Sequence, residues 1–514
     1  MEEPRSLAVV DLGSNSFRLV VFTWSEGSWW KRTDEIHEAV RIGEGLDATG
    51  DLQPEPMERA LETLELYAHF CRATGIEAVR PVATSAIRDA GNRDEFLAAA
   101  RERSGLEVEV LDPEREAWFG YLAAVNSTTL SDGVVLDLGG GSMQLTRVRD
   151  RHAVQMRSWP LGAVRMTERF LTREVPKPKH LKALRAHVAE ALAEAPWLAG
   201  AGAIAGIGGT VRNLAAAAEL AAGVPSFGVQ GFRLRRDALD ALVERMVELP
   251  AAERGRLPGI KPARGDLILA GALVVQSVME AGALDVLEVT EAGLREGVFF
   301  ATRMADREPP LLDDVRGASV RNLAASYGAD AAHAAQVGRL ALALWDGLAA
   351  AGVHPGDAAE RELLAAAAAL HDIGMAIDYD DHHKHSRYLV LSAGLPGFSP
   401  RETALIAQMC RYHRKGTPAL GDMEPLAAEG DAALLARCAA ALRIAEQLER
   451  SRDQAVDGLR VKVADGTARI RLHAHEDVTV GVWAALRERE TFELAFALRL
   501  EISAARRERP AARR

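Results

Sequence analysis

Cysteine is scarce in this 514-residue chain: Cys71, Cys410 and Cys438 are far apart and odd in number, which excludes a disulfide framework and points to a reducing compartment. No C-x-x-C pair exists, so a thiolate zinc ribbon is excluded too. An excess of positive charge is also missing. The formal net charge of −11 has the wrong sign for a coat on nucleic acid, so any polyanionic ligand must be met by local basic patches. Long apolar runs are absent as well. The greasiest stretch, residues 267–287, is interrupted by Gln276, Ser277 and Glu280 and falls short of the ~18–20 apolar residues of a membrane span. The first residues pass into a strand-like run with neither a basic segment nor an apolar leader. The expectation is a cytoplasmic protein that binds neither membrane nor nucleic acid. What is present, 48% hydrophobic and 26% charged residues, is ordinary for a globular protein, and the length suggests roughly three domains.

The most informative positive feature is a repeat. Asp11-Leu12-Gly13-Ser14-Asn15-Ser16-Phe17 recurs in altered form as Asp137-Leu138-Gly139-Gly140-Gly141-Ser142-Met143. Each copy lies between two short apolar runs and so reads as strand, tight turn, strand. Each turn offers backbone N–H groups and a hydroxyl where glycine permits close approach, which suits a phosphate oxyanion. The Asp heading each turn suits Mg²⁺, held directly or through water. One D-L-G-x-x-S is an ordinary hairpin turn. Two copies with the same flanks form a clamp for a phosphate chain and its metal.

Around this repeat the spacing predicts duplicated α/β halves. Residues 57–74 have helical periodicity, 79–83 form a strand, 94–104 a helix and 108–111 a strand. Residues 126–305 repeat the plan, with a helix near Thr167 and a strand at 203–207 leading into Gly208-Gly209-Thr210. The fold class is therefore α/β, with two lobes, 1–125 and 126–305, and a cleft between them. After Arg307-Glu308-Pro309-Pro310 the chain turns Ala- and Leu-rich with 3.6-residue periodicity, giving a helical domain over 306–455. Alternation at 459–463 and 468–473 gives a small α+β region over 456–514, and the arginines from Arg506 onward read as a frayed tail.

Two further segments carry chemistry. Ala83-Thr84-Ser85-Ala86-Ile87-Arg88 is a strand end opening toward a helix, whose hydroxyls and Arg88 can donate to phosphate. Asp112-Pro113-Glu114-Arg115-Glu116 places carboxylates after another strand. With these, the chain resembles the exopolyphosphatase/guanosine pentaphosphate phosphohydrolase family, of the actin-like ATPase superfamily with ribonuclease H-like lobes. The matching pieces are DLGSNSFRLVVF, ATSAIRDAGN, EREA, VLDLGGGSMQL, SWPLGAVRMTERF, GIGGTVRNLA, LPGIKPARGDLILAGA and GLREGVFF, in family order across residues 7–300. The resemblance implies that Glu116 is the catalytic base for water attack on the terminal phosphorus. It implies that Asp11 and Asp137 are metal-associated, and that Ser14, Asn15, Arg88, Gly139, Gly140, Gly141, Ser142, Gly208, Gly209 and Thr210 cradle phosphate. Mg²⁺ or Mn²⁺ is the implied cofactor, with a monovalent cation as a further one, and a homodimer the implied assembly.

The sequence departs from the family at Gln144, where a Glu is usual; an amide oxygen is a weaker ligand for a hard cation, which alters the metal site. It departs again at Asp112-Pro113, where a Ser-Gly pair is usual. No Cys or Ser lies beside a plausible His in either lobe, so direct in-line attack by water is the simpler mechanism. The expected activity is release of terminal phosphate from inorganic polyphosphate, with hydrolysis of guanosine pentaphosphate as the alternative. An actin-like small-molecule kinase and a catalytically dead polyphosphate- or nucleotide-binding regulator are both disfavoured by the motif set.

The helical region holds a second constellation: His333, His371-Asp372, His385, His413 and Glu446 follow the order of the HD phosphohydrolase superfamily. Imidazoles and a carboxylate on facing helices could ligate a transition metal. Glu446 stands where that superfamily has Asp, and long members of the phosphatase family carry such a domain without its metal role, so a degenerate scaffold is expected. Lys384, Arg387, Arg411, Arg414 and Lys415 supply the basic density along which a distal polyphosphate chain would lie.

Overall fold

The computed structural model describes residues 3–225 and 227–506 and divides into two compact units, Met1–Arg316 and Gly317–Arg514. In the first unit, β1 (Arg5–Leu12), β2 (Phe17–Ser25), β3 (Trp29–Glu38), β4 (Ala78–Ala83) and β5 (Glu109–Val110) form a sheet in the order β3-β2-β1-β4-β5. A second sheet holds β6 (Gly133–Leu138), β7 (Met143–Arg149), β8 (His152–Trp159), β9 (Ile204–Ile207), β10 (Arg233–Arg235) and β11 (Val286–Val289), in the order β10-β11-β9-β6-β7-β8. Read from its far edge, β8-β7-β6-β9-β11 repeats the first sheet: three antiparallel strands, then two parallel ones. This is the two-lobed arrangement expected from the repeated turns, in the actin-like form that the family resemblance implies.

β1 shows why these residues make a central strand. Its side chains alternate, Leu7 and Val9 entering one core, Ala8, Val10 and Leu12 the other, so both faces are buried and both are apolar. The core holding Leu7 and Val9 is shared between lobes. It also takes Phe119 and Leu122 of the helix Pro113–Val125, Val135 and Ile207 of the second sheet, and Val298 to Phe300 of the helix Leu294–Arg303. These two helices cross so closely that a Cβ on Gly297 would lie 1.9 Å from the Phe119 carbonyl oxygen. The two lobes therefore share a core across the expected 125/126 boundary. The expected boundary at 305/306 falls instead between Arg316 and Gly317, because the Asn126 side chain donates to the Pro310 carbonyl (3.0 Å) and accepts from the Leu312 N–H (2.7 Å), binding that stretch to the first unit.

The second unit is built on the helices Ala331–Ala350, Ala358–Leu370, His382–Ala393, Pro400–Tyr412 and Asp431–Leu448. Its sheet, β12 (Val456–Ala464), β13 (Thr467–Ala474) and β14 (Arg499–Arg506), is not a separate piece. Val456, Ile470 and Leu472 bury into the same core as Leu344, Trp345, Leu405 and Leu442. The arginine-rich tail after residue 506 lies outside the described residues. Among those described, no helix is long and apolar enough to cross a membrane.

Candidate active site

The register fixes where each repeated turn points. Leu12 pairs with Phe17 and Leu138 with Met143, so residues 13–16 and 139–142 are the turns, with Asp11 opposite Arg18 and Asp137 opposite Gln144. Both turns lie at the carboxyl ends of strands that run parallel to β4 and β9, the end of an α/β sheet where ligands bind. They meet across one cleft: a Cβ on Gly140 would lie 3.3 Å from the Ser14 Cβ, and Ser14 Oγ is 3.2 Å from Ser85 Oγ. Of the phosphate-cradle residues expected from the sequence, Ser14, Asn15, Gly139, Gly140, Ser142, Gly208 and Gly209 line this cleft. Gly208 has φ +103°, and a Cβ there would stand 2.4 Å from the Leu138 carbonyl oxygen; only glycine fits.

Glu116 reaches the cleft from the first turn of its helix. Asp112 caps that turn by accepting from the Arg115 N–H at 2.7 Å, and Pro113 occupies the first helical position, where its missing N–H costs nothing. The departure at Asp112-Pro113 therefore builds a well-capped helix start beneath Glu116. The carboxylate is 6% exposed and held at both oxygens: Arg88 Nη1 donates to Oε2 at 2.7 Å and Ser142 Oγ donates to Oε1 at 3.1 Å. Burial pushes its pKa up, opposed by the Arg88 charge.

Asp11, Glu116 and Asp137 all line the cleft. Burial raises the pKa of Asp11. Asp137 is pushed up to about 7 by burial and by the negative charge of Glu116 and Asp11. Carboxylates that resist ionising together, beside backbone turns, are the donor set a hard divalent cation satisfies.

Four arginines that the sequence did not single out line the same cleft: Arg18, Arg212, Arg264 and Arg295. Burial is the leading cause that lowers the pKa of Arg212, to about 10, and it also lowers those of Arg18 and Arg264. Arg295 is 5% exposed, with its Nε 3.8 Å from Asp11 Oδ2 and its Nη1 without a hydrogen-bond partner. Arg18 is bonded to Glu35 at 2.9 Å, Arg212 donates to the Glu291 carbonyl at 2.7 Å, and Arg295 Nη1 lies 3.6 Å from Glu35; the donors these guanidinium groups have left over suit an anion. One signal for them was in the sequence. Arg88 follows Thr84-Ser85 after β4 as Arg212 follows Gly208-Gly209 after β9, so the duplication extends beyond the turns to a matched arginine.

Other expected residues sit elsewhere. Arg88 does not line the cleft; its guanidinium is committed to Glu116 and to the Leu111 carbonyl at 2.9 Å. Gln144 does not line the cleft either. Its Nε2 donates to Ser142 Oγ (2.9 Å) and Ser158 Oγ (3.1 Å), because the register leaves it 2% exposed between two hydroxyls. Gly141 packs behind the turn, where a Cβ would meet Ser85 Oγ at 2.3 Å. Thr210 is 1% exposed and packs where a Cβ on Gly271 would strike its methyl group at 2.5 Å.

In the second unit the structure brings His333, His371, Asp372, His413 and Glu446 together, but substitutes His382 for the expected His385. His382 and His385 are neighbours on one helix face, and it is the first-turn His382 that reaches the cluster. Three of the five cations of the expected polyphosphate track are in ion pairs. Lys384 and Lys415 share Asp381 (2.6 and 3.0 Å), and Arg387 is paired with Asp422 (2.5 Å). Arg411 and Arg414 lie over the rings of Tyr412 and Tyr379.

The sequence profile of the Ppx/GppA phosphatase family matches residues 20–305, and that of Ppx/GppA phosphatase, domain III, matches residues 315–510. Among solved structures, the Aquifex aeolicus member of the Ppx/GppA family is 29% identical, with a TM-score of 0.52 over 59% of this chain and 99% of its own. An exopolyphosphatase-like protein is similar at 29% identity, with a TM-score of 0.53 over 58% of this chain and 97% of its own. An exopolyphosphatase from Cytophaga hutchinsonii, 21% identical, shares the fold with a TM-score of 0.55 over 58% of this chain and 98% of its own. Matched over its lobes and again over its helical unit, the chain belongs to the Ppx/GppA phosphatase family.

Proposed function

We propose that this phosphatase is an exopolyphosphatase, which hydrolyses the terminal phosphoanhydride bond of inorganic polyphosphate. The observation that carries this reading is the cleft itself. Glu116 is fixed between Arg88 and Ser142 at a site lined by two glycine-rich turns and four arginines, and none of the described residues lining it is aromatic. A guanosine would find no ring to stack on, whereas a phosphate chain finds N–H and guanidinium donors. That favours polyphosphate over guanosine pentaphosphate, the alternative substrate.

In the reaction the turn N–H groups at 13–16 and 139–142 hold the terminal phosphoryl oxygens, and Arg212, Arg264 and Arg295 hold the next phosphates in line. Asp11 and Asp137 would hold Mg²⁺ or Mn²⁺, which supplies charge neutralisation on the bridging and terminal oxygens. Glu116 orients a water behind the phosphorus and takes its proton. Its raised pKa makes it a stronger base than a surface carboxylate. The ester-free oxyanion of the shortened chain leaves opposite the water, stabilised by the arginines.

The test is phosphate release from polyphosphate of several chain lengths, measured beside guanosine pentaphosphate under Mg²⁺. A kcat/KM at least tenfold higher on polyphosphate is expected. A preference for guanosine pentaphosphate would replace this reading with the alternative.

A further inference from the structure

The second unit contains a buried cluster that the phosphatase reaction does not use. His371 Nδ1 lies 2.7 Å from the Ala368 carbonyl, His382 Nδ1 2.8 Å from the Tyr379 carbonyl, and His413 Nδ1 2.8 Å from the Cys410 carbonyl. A carbonyl can only accept, so each of these rings carries its proton on Nδ1 and turns Nε2 inward. In all three cases the carbonyl belongs to the residue three positions earlier, so helix geometry sets the orientation.

The inward atoms of these rings, and Nε2 of His333, converge on two carboxylates. His371 Nε2 is 3.1 Å from Glu446 Oε2 and 3.6 Å from Asp372 Oδ1; His333 Nε2 is 3.0 Å from Glu446 Oε2 and 3.7 Å from Asp372 Oδ2. His382 Nε2 and His413 Nε2 are 3.1 Å apart and lie 3.3 and 3.5 Å from Asp372 Oδ1. Two ligands on an ion at about 2.1 Å stand about 3.0 Å apart at right angles and about 3.4 Å apart in a tetrahedron. Spacings of 3.0 to 3.7 Å are within reach of ligands that share an ion. Two facing imidazole lone pairs repel unless a cation or a proton lies between them.

We propose that this cluster is a site for two divalent transition-metal ions, one held by His333, His371 and Glu446, the other by His382 and His413, with Asp372 bridging them. The inference is independent of the substrate reading above. The imidazole and carboxylate set suits Mn²⁺, Fe²⁺ or Zn²⁺ rather than Ca²⁺, and a shared carboxylate suits ions about 3.5–4 Å apart. The Nδ1–H bonds to backbone carbonyls are the outer contacts that orient metal-bound histidines. The Asp-to-Glu change at Glu446 does not empty the site, because Glu446 Oε2 reaches both imidazoles. At the rim, Arg452 Nη2 donates to Asp372 Oδ2 at 2.7 Å, and Arg414 Nη1 is 3.4 Å from His382 Nδ1. The Arg452 side chain is 38% exposed and can swing outward when a cation takes its place at Asp372.

The full-length protein, stripped with chelator, reloaded separately with Mn²⁺, Fe²⁺ or Zn²⁺ and passed through gel filtration, should retain by elemental analysis two ions per chain over and above any ion that is lost with Asp137→Asn. Its melting temperature should rise with the ion, since binding to the folded state alone stabilises it. Asp372→Asn should retain none of these two, and His382→Gln one, while Asp137→Asn, in the other unit, should retain both. Far-UV circular dichroism checks that each variant is folded, and the melting shift of the parent needs no variant. Fewer than two such ions on the parent, no melting shift with any of the three metals, or two such ions that survive Asp372→Asn would overturn the proposal and leave a network bridged by protons.

Discussion

Glu116→Gln isolates the chemical step. The amide is the same shape as the carboxylate, so its oxygen still accepts from Arg88 Nη1, now 2.7 Å from Oε2, and its nitrogen faces Ser142 Oγ, now 3.1 Å from Oε1. What disappears is a group able to take the proton of the attacking water. Loss of one positioned base lowers the rate by about 10²–10⁴, and at about 1.36 kcal/mol per tenfold the barrier rises by about 2.7–5.4 kcal/mol. Binding of polyphosphate should be unchanged or tighter, because one negative charge leaves a cleft that also holds Asp11 and Asp137. The assay is colorimetric phosphate release at saturating Mg²⁺ beside equilibrium dialysis of polyphosphate, with a melting curve as control. Turnover within tenfold of the parent would refute the assignment of Glu116 as base. A rate lost in step with binding would refute the separation of chemistry from phosphate holding.

Arg88→Ala should behave differently. It leaves Glu116 buried without its counter-ion, so stability should fall by about 3–5 kcal/mol, read by chemical denaturation. Gly208→Ala places a Cβ 2.4 Å from the Leu138 carbonyl oxygen at φ +103°, and should cost at least about 1–3 kcal/mol and most of the activity. Gln144→Glu exchanges an amide that donates to Ser142 and Ser158 for a carboxylate beside Asp137; the metal-free protein should melt lower and regain stability with Mg²⁺, and an unchanged metal response would show that the position does not sense the ion. Arg295→Met should raise KM for polyphosphate more than it lowers kcat, with the difference shrinking at high salt as screening weakens the parent.

Much of this protein was legible in the sequence because the chemistry is local to it. The repeated D-L-G turns and the strand end at Ala83 that opens toward a helix each need only a few consecutive residues, and local backbone preferences dictate their shape. Turn chemistry therefore placed Ser14, Asn15, Gly139, Gly140 and Ser142 on the cleft wall in advance. The tertiary structure decided what depends on direction across long separations. Arg18, Arg212, Arg264 and Arg295 come from four different elements, and no local pattern says that their guanidinium groups converge. The register of β6 on β7 buried Gln144 between two serines, and packing turned Arg88 onto Glu116 and the Leu111 carbonyl. In the helical unit, the order of histidines along the chain named five of the six clustered side chains. The two histidines share a face of the helix His382–Ala393, and it is His382 in the first turn, and not His385 about 4.5 Å further along the axis, that reaches Asp372.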